Sequence, residues 1–307
     1  MKRDLISILD VKDDLDDIIT LSIKLKRQSK RGKRIEHLKG KTLGMMFEKP
    51  STRTRVSFET GMTLLGGHAI FLSTNDIQLG RGESLEDTAL VLSRYVDLIM
   101  YRAKSNEAMK ELAKHATVPV INGLDNKEHP CQVITDLMTI QEHKGSLKGL
   151  QLVYLGDGNN NMAHSYLLGC GIAGMPIRIV APKQYWPEKY YIEEAKKFGV
   201  KVELTDIVKN STKDADIIAT DTWVSMGDET EKEKRITQFK GYTVDSNLMS
   251  AAKRDAIFLH CLPAYYGYEV TKDVAYGPQS VIFDEAENRM WAQMGIIVKF
   301  YETCSHN

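Results

Sequence analysis

The chain carries no excess of either charge, because 41 lysines and arginines balance 41 aspartates and glutamates. Such a balance gives no indication of a nucleic-acid partner or of attraction to an anionic membrane. No apolar run approaches the roughly 20 residues that span a bilayer, and the first residues lack the apolar segment of a secretory signal. We therefore expect neither nucleic acid nor membrane among the partners of this protein.

Cysteine is scarce, and its spacing is not that of a metal or redox motif. The chain has four cysteines, and no two of them form a Cys-x-x-Cys pair. Scattered thiols in a chain of 307 residues are typical of a reducing compartment rather than of a disulfide framework. We therefore expect a cytoplasmic location. Internal repeats and low-complexity segments are also missing from the sequence.

Short apolar runs alternate with longer segments of helical spacing along the whole chain. This alternation predicts parallel sheets whose strands are joined by crossover helices. In the first half, strands are predicted at residues 42–47, 68–72, 97–101 and 118–121. In the second half, they are predicted at residues 151–155, 177–181, 201–204, 216–220, 256–260 and 281–283. Helices are predicted at residues 56–65, 85–94, 106–115 and 132–143.

The length of the chain indicates two domains, because a single hydrophobic core rarely grows past about 250–300 residues. A Gly-Ser-Leu-Lys-Gly break at residues 145–149 is the clearest candidate boundary. We predict an α/β fold with two domains, residues 1–147 and 148–289, each a parallel sheet flanked by helices.

The first strand is followed by the run Ser51-Thr52-Arg53-Thr54-Arg55, which opens a helix. Unpaired amides at a helix N-terminus favour an anion, and arginine adds paired donors that match phosphate oxygens. Taken alone, the run is explained equally well by a Ser/Thr cap followed by surface arginines. Further along this helix, Val56, Met62 and Leu65 are expected to share a buried face.

Polar groups also follow the other strands of the first half. A glycine-containing loop at residues 76–83 follows the second strand, Arg102 follows the third, and His129-Pro130-Cys131-Gln132 follows the fourth. Ligands of open parallel sheets gather at the carboxyl ends of the strands. A lone arginine or histidine there is commonly a surface residue, but together these groups predict a site for a small phosphorylated electrophile.

The second half contains a glycine turn, Gly156-Asp157-Gly158, at the end of a strand. The turn suggests dinucleotide binding only weakly, because Asn161 stands where a third glycine belongs and no acidic residue ends the next strand. The run from Asn159 to Asn161 is suited instead to a carboxylate or amide substrate.

Three later segments carry groups suited to an amino-acid substrate. Asp221 at a strand end suits an ammonium group, and Ser225 with the amide of Met226 could hold a carboxylate, although a capped loop is the simpler explanation. The run His260-Cys261-Leu262-Pro263 brings a thiol and carbonyl groups to another strand end, where a buried cysteine is usually only a small apolar residue. The last helix opens with acidic residues and Arg289.

The order and spacing of these motifs resemble the aspartate/ornithine carbamoyltransferase family over nearly the whole chain. Each motif is weak alone, but seven in sequence are very specific. They comprise residues 51–55, 76–83, 102, 129–132, 221–227, 260–263 and 285–289. Residues 221–227 look like the loop of the ornithine-using members, because they contain no lysine or arginine for a dicarboxylate.

The resemblance implies transfer of the carbamoyl group of carbamoyl phosphate to the δ-amine of L-ornithine, giving L-citrulline and phosphate without a metal or organic cofactor. It implies a carbamoyl-phosphate-binding first domain and an ornithine-binding second domain, linked by two helices, with the C-terminal helix 290–307 packed back on the first domain. It also implies a homotrimer, or a multiple of trimers, with active sites at subunit interfaces. The direction of the reaction, in arginine biosynthesis or breakdown, stays open.

The resemblance further assigns roles to individual residues. Arg102, His129, Asp221 and Cys261 are the implied catalytic residues, with either Asp221 or Cys261 receiving the proton of the amine. Carbamoyl phosphate is implied to bind Ser51, Thr52, Arg53, Thr54, Gln78, Arg102, His129, Gln132, Cys261, Leu262 and Arg289, with Gln78 coming from a neighbouring subunit. Ornithine is implied to bind Asn160 or Asn161, Asp221, Ser225 and Met226.

Two segments depart from the family pattern. Tyr266 stands where many relatives have arginine, and residues 125–128 before His129 are unusually charged. A nucleotide-binding protein without transferase activity is the main alternative, but it leaves residues 51–55 unexplained. A catalytically silent protein of the same fold is a third possibility, against which the intact Arg102 and His129 argue.

Overall fold

The structure, a computed structural model, describes residues 2–74, 76–224 and 231–305, without the side chains of residues 80, 304 and 305. The chain divides into two compact units, Met1–Met138 with Asn288–Asn307 (unit 1) and Thr139–Glu287 (unit 2). Both division points fall inside helices, so two helices connect the units. The predicted α/β fold with two parallel sheets and two linking helices is confirmed. The functional domain boundaries at 147/148 and 289/290 stay a prediction.

Unit 1 contains a four-stranded parallel sheet in the order β2-β1-β3-β4. Its strands are β1 (Thr42–Phe47), β2 (His68–Ser73), β3 (Leu98–Arg102) and β4 (Val120–Leu124). Almost every residue of β1, β3 and β4 is buried, as expected where helices cover both faces of a parallel sheet. The edge strand β2 is only partly covered.

The helices that belong wholly to unit 1 are α1 (Leu15–Lys30), α2 (Thr52–Leu64), α3 (Leu85–Leu92) and α4 (Asn106–His115). Three of them begin at a serine whose hydroxyl accepts the amide three residues on, and these serines are Ser51, Ser84 and Ser105. Such caps satisfy amides that a helix leaves unpaired, and they fix where each helix begins. The linking helix α5 spans Pro130–Lys144.

The chain order of the unit 1 sheet creates a crevice. The chain runs from β1 outward to β2, then returns to β3 and continues to β4, so the direction of winding reverses between β1 and β3. Phe47 and Arg102 pair at the carboxyl ends of these two strands. A reversal of this kind is where open parallel sheets bind ligands.

Unit 2 contains a five-stranded parallel sheet in the order β7-β6-β5-β8-β9, with its reversal between β5 and β8. Its strands are β5 (Leu152–Leu155), β6 (Ile177–Val180), β7 (Val202–Thr205), β8 (Ile217–Thr220) and β9 (Ile257–Leu259). Its helices are α6 (Asn161–Ala173), α7 (Lys189–Lys197), α8 (Lys232–Gln238), α9 (Ser246–Ala251) and α10 (Lys272–Ala275). The second linking helix, α11, spans Ile282–Ser305.

Two predictions about local structure were wrong. The apolar run at 281–283 is not a strand. Ser280, just before the run, forms a single bridge with Phe258, Val281 donates its amide to the Phe258 carbonyl, and α11 begins at Ile282. Acidic residues directly after the run favour that helix start. Val56 is 54% exposed, because the buried face of α2 follows Thr54, Phe58 and Met62, and a residue two positions after Thr54 lies on the other side.

None of the helices described here combines the length and the apolar character needed to cross a membrane.

Candidate active site

The N-terminus of α2 is built around two hydroxyl groups at the sheet reversal of unit 1. The hydroxyl of Ser51 accepts the amide of Thr54 at 3.3 Å and donates to the Thr54 hydroxyl at 3.0 Å. Arg102, at the end of β3, donates to that same hydroxyl at 3.5 Å. Thr54 is fully buried, and Arg102 is nearly so. The predicted groups after β1 and β3 therefore meet at one point.

Arg289 connects this point to the start of α5. Its guanidinium donates at 2.8 Å to the hydroxyl of Thr54, and it also donates to the side-chain oxygen of Gln132. The same group lies 3.0 Å from Nε2 of His129. A guanidinium has donors only, so it leaves these oxygens and this nitrogen as acceptors. The result is a buried cluster that carries two positive charges, from Arg102 and Arg289.

His129 is neutral in this cluster. Burial, together with the charges of Arg289 and Arg102, holds the pKa of the imidazole well below its usual range. Because Arg289 can only donate, Nε2 accepts from it and the ring proton lies on Nδ1. The imidazole can thus donate one hydrogen bond without bringing a positive charge of its own.

Gln132 is oriented by Asp136, four residues further along α5. Its amide nitrogen donates to Asp136 at 2.7 Å, which leaves its oxygen facing Arg289. The thiol of Cys131, in the same turn, donates to the carbonyl of Asn122, and burial raises its pKa to about 12. Cys131 is therefore a packing residue, and Gln132 belongs to the cluster.

The remaining residues predicted for phosphate binding lie at the surface of unit 1. Thr52 is exposed and Arg53 is half-buried in the first turn of α2. Gln78 is exposed and begins a single 3-10 turn, Gln78–Arg81. Within the described part of the chain, no hydrogen bond joins the side chain of Gln78 to Thr54 or Arg289.

In unit 2, the ends of β8 and β9 bring a carboxylate and a thiol together. Cys261 donates from Sγ to Oδ1 of Asp221 at 3.4 Å. Asp221 is buried, and burial raises the pKa of its carboxyl, an effect that His260, the amide of Thr222 and the thiol offset in part. The predicted pair therefore forms a buried acceptor with a polarisable donor beside it.

His260 holds the backbone that carries Cys261. Its amide donates to Glu285 at 2.9 Å, and its Nδ1 accepts the amide of Leu262 at 2.9 Å. The ring proton is therefore on Nε2, which lies 3.2 Å from Oε1 of Glu269. Leu262 has a left-handed φ of 58°, a conformation that needs support of this kind from its surroundings.

The glycine turn after β5 is supported by a residue that the sequence did not identify. Gly156 has a φ of 118°, which a side chain would strain. Asp157, next to it, forms a buried ion pair with Arg235, and burial raises the pKa of Asp157. Neither Arg235 nor Glu269 was predicted. Both come from distant segments, and no local sequence signal marks them.

The asparagine run has one member with a structural role. Asn160 caps α6 by accepting the amide of Ala163 at 2.8 Å, and its NH₂ group donates to the hydroxyl of Tyr154 at 3.1 Å. Asn161 is the first residue of α6. The predicted ligands Ser225 and Met226 lie outside the described residues.

One group of side chains has donors that suit a metal ion. Ligand atoms of Asp221, His260 and Cys261 lie within 4.8 Å of one another. Oxygen, nitrogen and sulfur donors together suit zinc. However, both ring nitrogens of His260 already face partners, Leu262 and Glu269.

Each parallel α/β unit thus has a polar cluster at its sheet reversal: a buried cationic cluster suited to a small anion in unit 1, and a buried carboxylate suited to an ammonium group in unit 2. Residues 3–142 match the model of the aspartate/ornithine carbamoyltransferase carbamoyl-P binding domain, and residues 148–300 match that of the Asp/Orn binding domain. The chain belongs to the aspartate/ornithine carbamoyltransferase family, as its motifs predicted.

Individual relatives agree with the family match. An ornithine carbamoyltransferase from Picrophilus torridus is 54% identical over 303 residues, covering 97% of this chain and 99% of that protein. A catabolic ornithine carbamoyltransferase from Thermoplasma volcanium is 49% identical, covering 97% of this chain and 98% of that protein. The solved ornithine carbamoyltransferase from Pyrococcus furiosus superimposes with a TM-score of 0.92 at 46% identity, covering 96% of each chain.

Proposed function

We propose that this chain transfers the carbamoyl group of carbamoyl phosphate to the δ-amine of L-ornithine, giving L-citrulline and phosphate. The names of the relatives from Picrophilus torridus and Pyrococcus furiosus support the amine, and the matched carbamoyl-P binding domain supports the donor. The structural observation that carries the proposal is the buried contact of Arg289 with Thr54, His129 and Gln132.

Fixed donors in the cluster provide most of the catalysis in this proposal. Attack on the carbonyl carbon develops charge on the carbonyl oxygen and on the phosphate oxygen that leaves. Arg102, Thr54 and neutral His129 are assigned to the carbonyl oxygen, while Arg102 and the start of α2 hold the phosphate. Donors that are already oriented in a buried site stabilise such charge at little reorganisation cost, and each is commonly worth about 10²–10³ in kcat.

The donor site is completed by residues with more local tasks. Ser51, Thr52 and Arg53 are assigned to the phosphate, with Gln78 of a neighbouring subunit. Gln132 and the carbonyls around Cys261 and Leu262 are assigned to the carbamoyl NH₂ group, and Arg289, which can only donate, orients the side-chain oxygen of Gln132. The support is that Gln132 and Arg289 are already held in place by mutual hydrogen bonding.

The δ-amine must lose a proton before it attacks, because its reference pKa is close to that of lysine, about 10.4. We assign this proton to Asp221, since the Cys261 thiol already donates its hydrogen to that carboxylate. One N–H bond of the δ-ammonium breaks, its proton moves to a carboxylate oxygen of Asp221, and the freed lone pair forms the new C–N bond. The C–O bond to phosphate then breaks with its electron pair on the leaving oxygen, and a second proton passes from the nitrogen to the phosphate, so that the nitrogen keeps one N–H in citrulline.

The α-amino and α-carboxylate groups of ornithine are assigned to the loops after β5 and β8. Either Asn160, whose side chain also contacts Ala163 and Tyr154, or Asn161 is assigned to the α-carboxylate. Ser225 and Met226 complete the assignment.

A homotrimer, or a multiple of trimers, is proposed as the working form. Unit 1 exposes several large apolar side chains, and their burial against other subunits would be favourable. They are Val56, Ile70, Leu90, Val91 and Tyr95, the last 76% exposed. The partly covered edge strand β2 belongs to the same unit and contains Ile70.

A cytoplasmic location and a role in arginine biosynthesis complete the proposal. The first rests on the scattered free thiols, of which Cys131 and Cys170 are buried. The second is supported by the solved anabolic ornithine carbamoyltransferase from Campylobacter jejuni, which is 40% identical to this chain, whereas the Thermoplasma volcanium relative is named as catabolic. Rates measured in both directions on one preparation would decide between the two roles.

The test of the reaction is a ureido-product assay on purified protein. Carbamoyl phosphate is supplied in parallel with ornithine, putrescine, N-acetylornithine or aspartate. Product from ornithine alone, lost in Arg289→Ala, supports the proposal. Product from a different amine would overturn the assignment of the 221–227 loop, and absence of product from every amine would overturn the reaction.

A further inference from the structure

The charged residues before His129, Asp125 to Glu128, have no role in the reaction proposed above. They nevertheless form the loop that leads into α5, so the shape of this loop determines the position of the His129 backbone. Asp125 and Glu128 are both buried. Buried carboxyl groups are rare unless they are hydrogen-bonded, which makes this loop a candidate for a specific task.

Asp125 gives the loop its shape. Its Oδ1 accepts the amides of Lys127 and Glu128 at 2.7 and 2.8 Å, and its own amide donates to the carbonyl of Glu128 at 3.0 Å. Its Oδ2 accepts the side chains of Asn106 and Asn122 at 2.7 and 3.0 Å. Both backbone polar groups of Glu128 are thereby held by one residue.

Glu128 fastens this shaped loop to the amino-terminal segment, 120 residues away in sequence. Its Oε2 accepts the hydroxyl of Ser7 and the amide of Ile8, each at 2.9 Å. The segment is itself fixed, because Asp10 accepts the amides of Ser7 and Ile6 at 2.8 Å. Glu128, the residue immediately before His129, is thus held through its backbone amide, its backbone carbonyl and its side chain.

We propose that Glu128 is a positioning residue, which places the His129 imidazole in the cationic cluster by fastening the loop to Ser7 and Ile8. The inference rests on the proposed function, because it assigns His129 a part in catalysis. It adds a residue that touches neither substrate and acts through its neighbour in the chain.

The surroundings of the Glu128 carboxyl make this fastening depend on pH. Burial raises its pKa to about 7, the bonds from Ile8 and Ser7 lower it in part, and the acidic neighbours Asp125 and Asp10 raise it further. An ionised carboxylate is the stronger acceptor. The bonds that Ser7 and Ile8 donate are therefore individually stronger above neutral pH, although ionising this buried carboxyl costs the folded state as a whole free energy.

The test compares wild type with Glu128→Gln, Glu128→Ala and Asp4→Asn. Asp4 is the matched control, because its carboxylate ties the same segment to the Val120 amide at 2.8 Å but does not reach the loop. We expect the ratio of wild-type kcat/KM to that of Glu128→Gln to rise about threefold to tenfold from pH 6 to pH 8, because deprotonation of ornithine affects both proteins equally. Glu128→Gln keeps most of kcat at pH 6, whereas Glu128→Ala loses about tenfold in kcat at every pH, with KM for carbamoyl phosphate changed less. Asp4→Asn keeps the wild-type profile.

Two results would overturn the inference: an unchanged profile in Glu128→Gln, or the same change in Asp4→Asn. A second readout is independent of turnover. The ring resonances of His129, assigned with a His129→Asn variant, should shift near pH 7 in wild type and stay still in Glu128→Gln. If no amine gives product but the resonances behave as expected, the proposed function fails and the structural coupling stands. If Glu128→Ala does not fold, Glu128→Gln and Ser7→Ala decide the question, with Ser7→Ala expected to lower kcat in the same direction.

Discussion

Arg289 and Thr54 are 235 residues apart in sequence, yet the guanidinium of Arg289 donates to the Thr54 hydroxyl at 2.8 Å. The same guanidinium reaches Gln132 and His129. One side chain from the last helix therefore completes a cluster whose other members come from the start of α2, the end of β3 and the start of α5. Removing it would deprive buried acceptors of a donor, and would remove one of the two charges that, together with burial, keep the His129 ring neutral.

Replacement of Arg289 by alanine should lower kcat by about 10²–10³ with ornithine and carbamoyl phosphate, because a fixed donor in a buried site is lost. Arg55→Ala is the control. Arg55 follows the Ser51–Thr54 start of α2 but is exposed and pairs with Glu59. Its loss should change kcat less than about twofold. Steady-state rates of both variants are compared, and equal effects would contradict a specific role for Arg289.

The tautomer of His129 is a second prediction. Nitrogen NMR of the labelled protein should show a neutral ring with its proton on Nδ1 from pH 8 down to pH 6, since burial and two guanidiniums hold the pKa well below its usual range. A spectrum that shows protonation of this ring above pH 6 would contradict the cluster as described. His260 provides an internal comparison. Its Nδ1 accepts the amide of Leu262, so its ring proton is on Nε2.

Much of the fold follows from local patterns in the sequence. The predicted strand 42–47 and helix 106–115 coincide with β1 and α4, because both segments have a strong apolar period and clear ends. The family motifs also predicted which strand ends carry polar groups. Sheet order was not predictable, since it depends on pairing between strands such as β1 and β3 that are far apart in the chain.

Other features could not be predicted from the sequence, because their partners are far apart in the chain or because a local rule gave the wrong answer. The support of His260 by Glu269 and the pairing of Asp157 with Arg235 have no mark in the sequence. Val56 was expected to be buried, because it is apolar and helical, but the buried face of α2 carries Thr54, Phe58 and Met62. Val56, two positions after Thr54, therefore lies on the other side of the helix.

Replacement of Asp221 by asparagine should abolish measurable carbamoylation of ornithine, whereas Cys261→Ser should reduce it about tenfold or less. Asparagine cannot take the proton of the amine, while serine still donates to the Asp221 carboxylate. Rates are measured from pH 7 to pH 10. If deprotonating ornithine at high pH restores Asp221→Asn, the carboxylate acts on the proton. If it does not, Asp221 serves the α-ammonium instead.

Charge placed on the exposed apolar side chains of unit 1 should weaken assembly. Val91→Glu is expected to shift the mass measured by light scattering from that of a trimer toward that of a single chain of 34.7 kDa. Activity should fall with it, because Gln78 is assigned to a neighbour's site. Phe283→Glu, at an exposed side chain in unit 2, is the matched control and should keep the wild-type mass. A wild-type protein that is already a single chain would contradict the proposal outright.

The raised pKa of Glu128 predicts a particular dependence of stability on pH. Burial raises the folded-state pKa from 4.5 to about 7, so the folded protein holds this proton more tightly than the unfolded chain does. The contribution to stability is therefore fully present below about pH 4.5, and it is lost as pH rises through 7. A change of this size corresponds to about 3 kcal/mol in the free energy of unfolding.

Glutamine does not titrate, so the stability of Glu128→Gln relative to wild type should increase by up to that amount between pH 5 and pH 8. Urea unfolding at fixed pH values measures it, with Asp97→Asn as a control for loss of a carboxylate in the same unit. A difference that is constant over this range, or that changes in the opposite sense, would show that the carboxyl is ionised in the folded protein throughout.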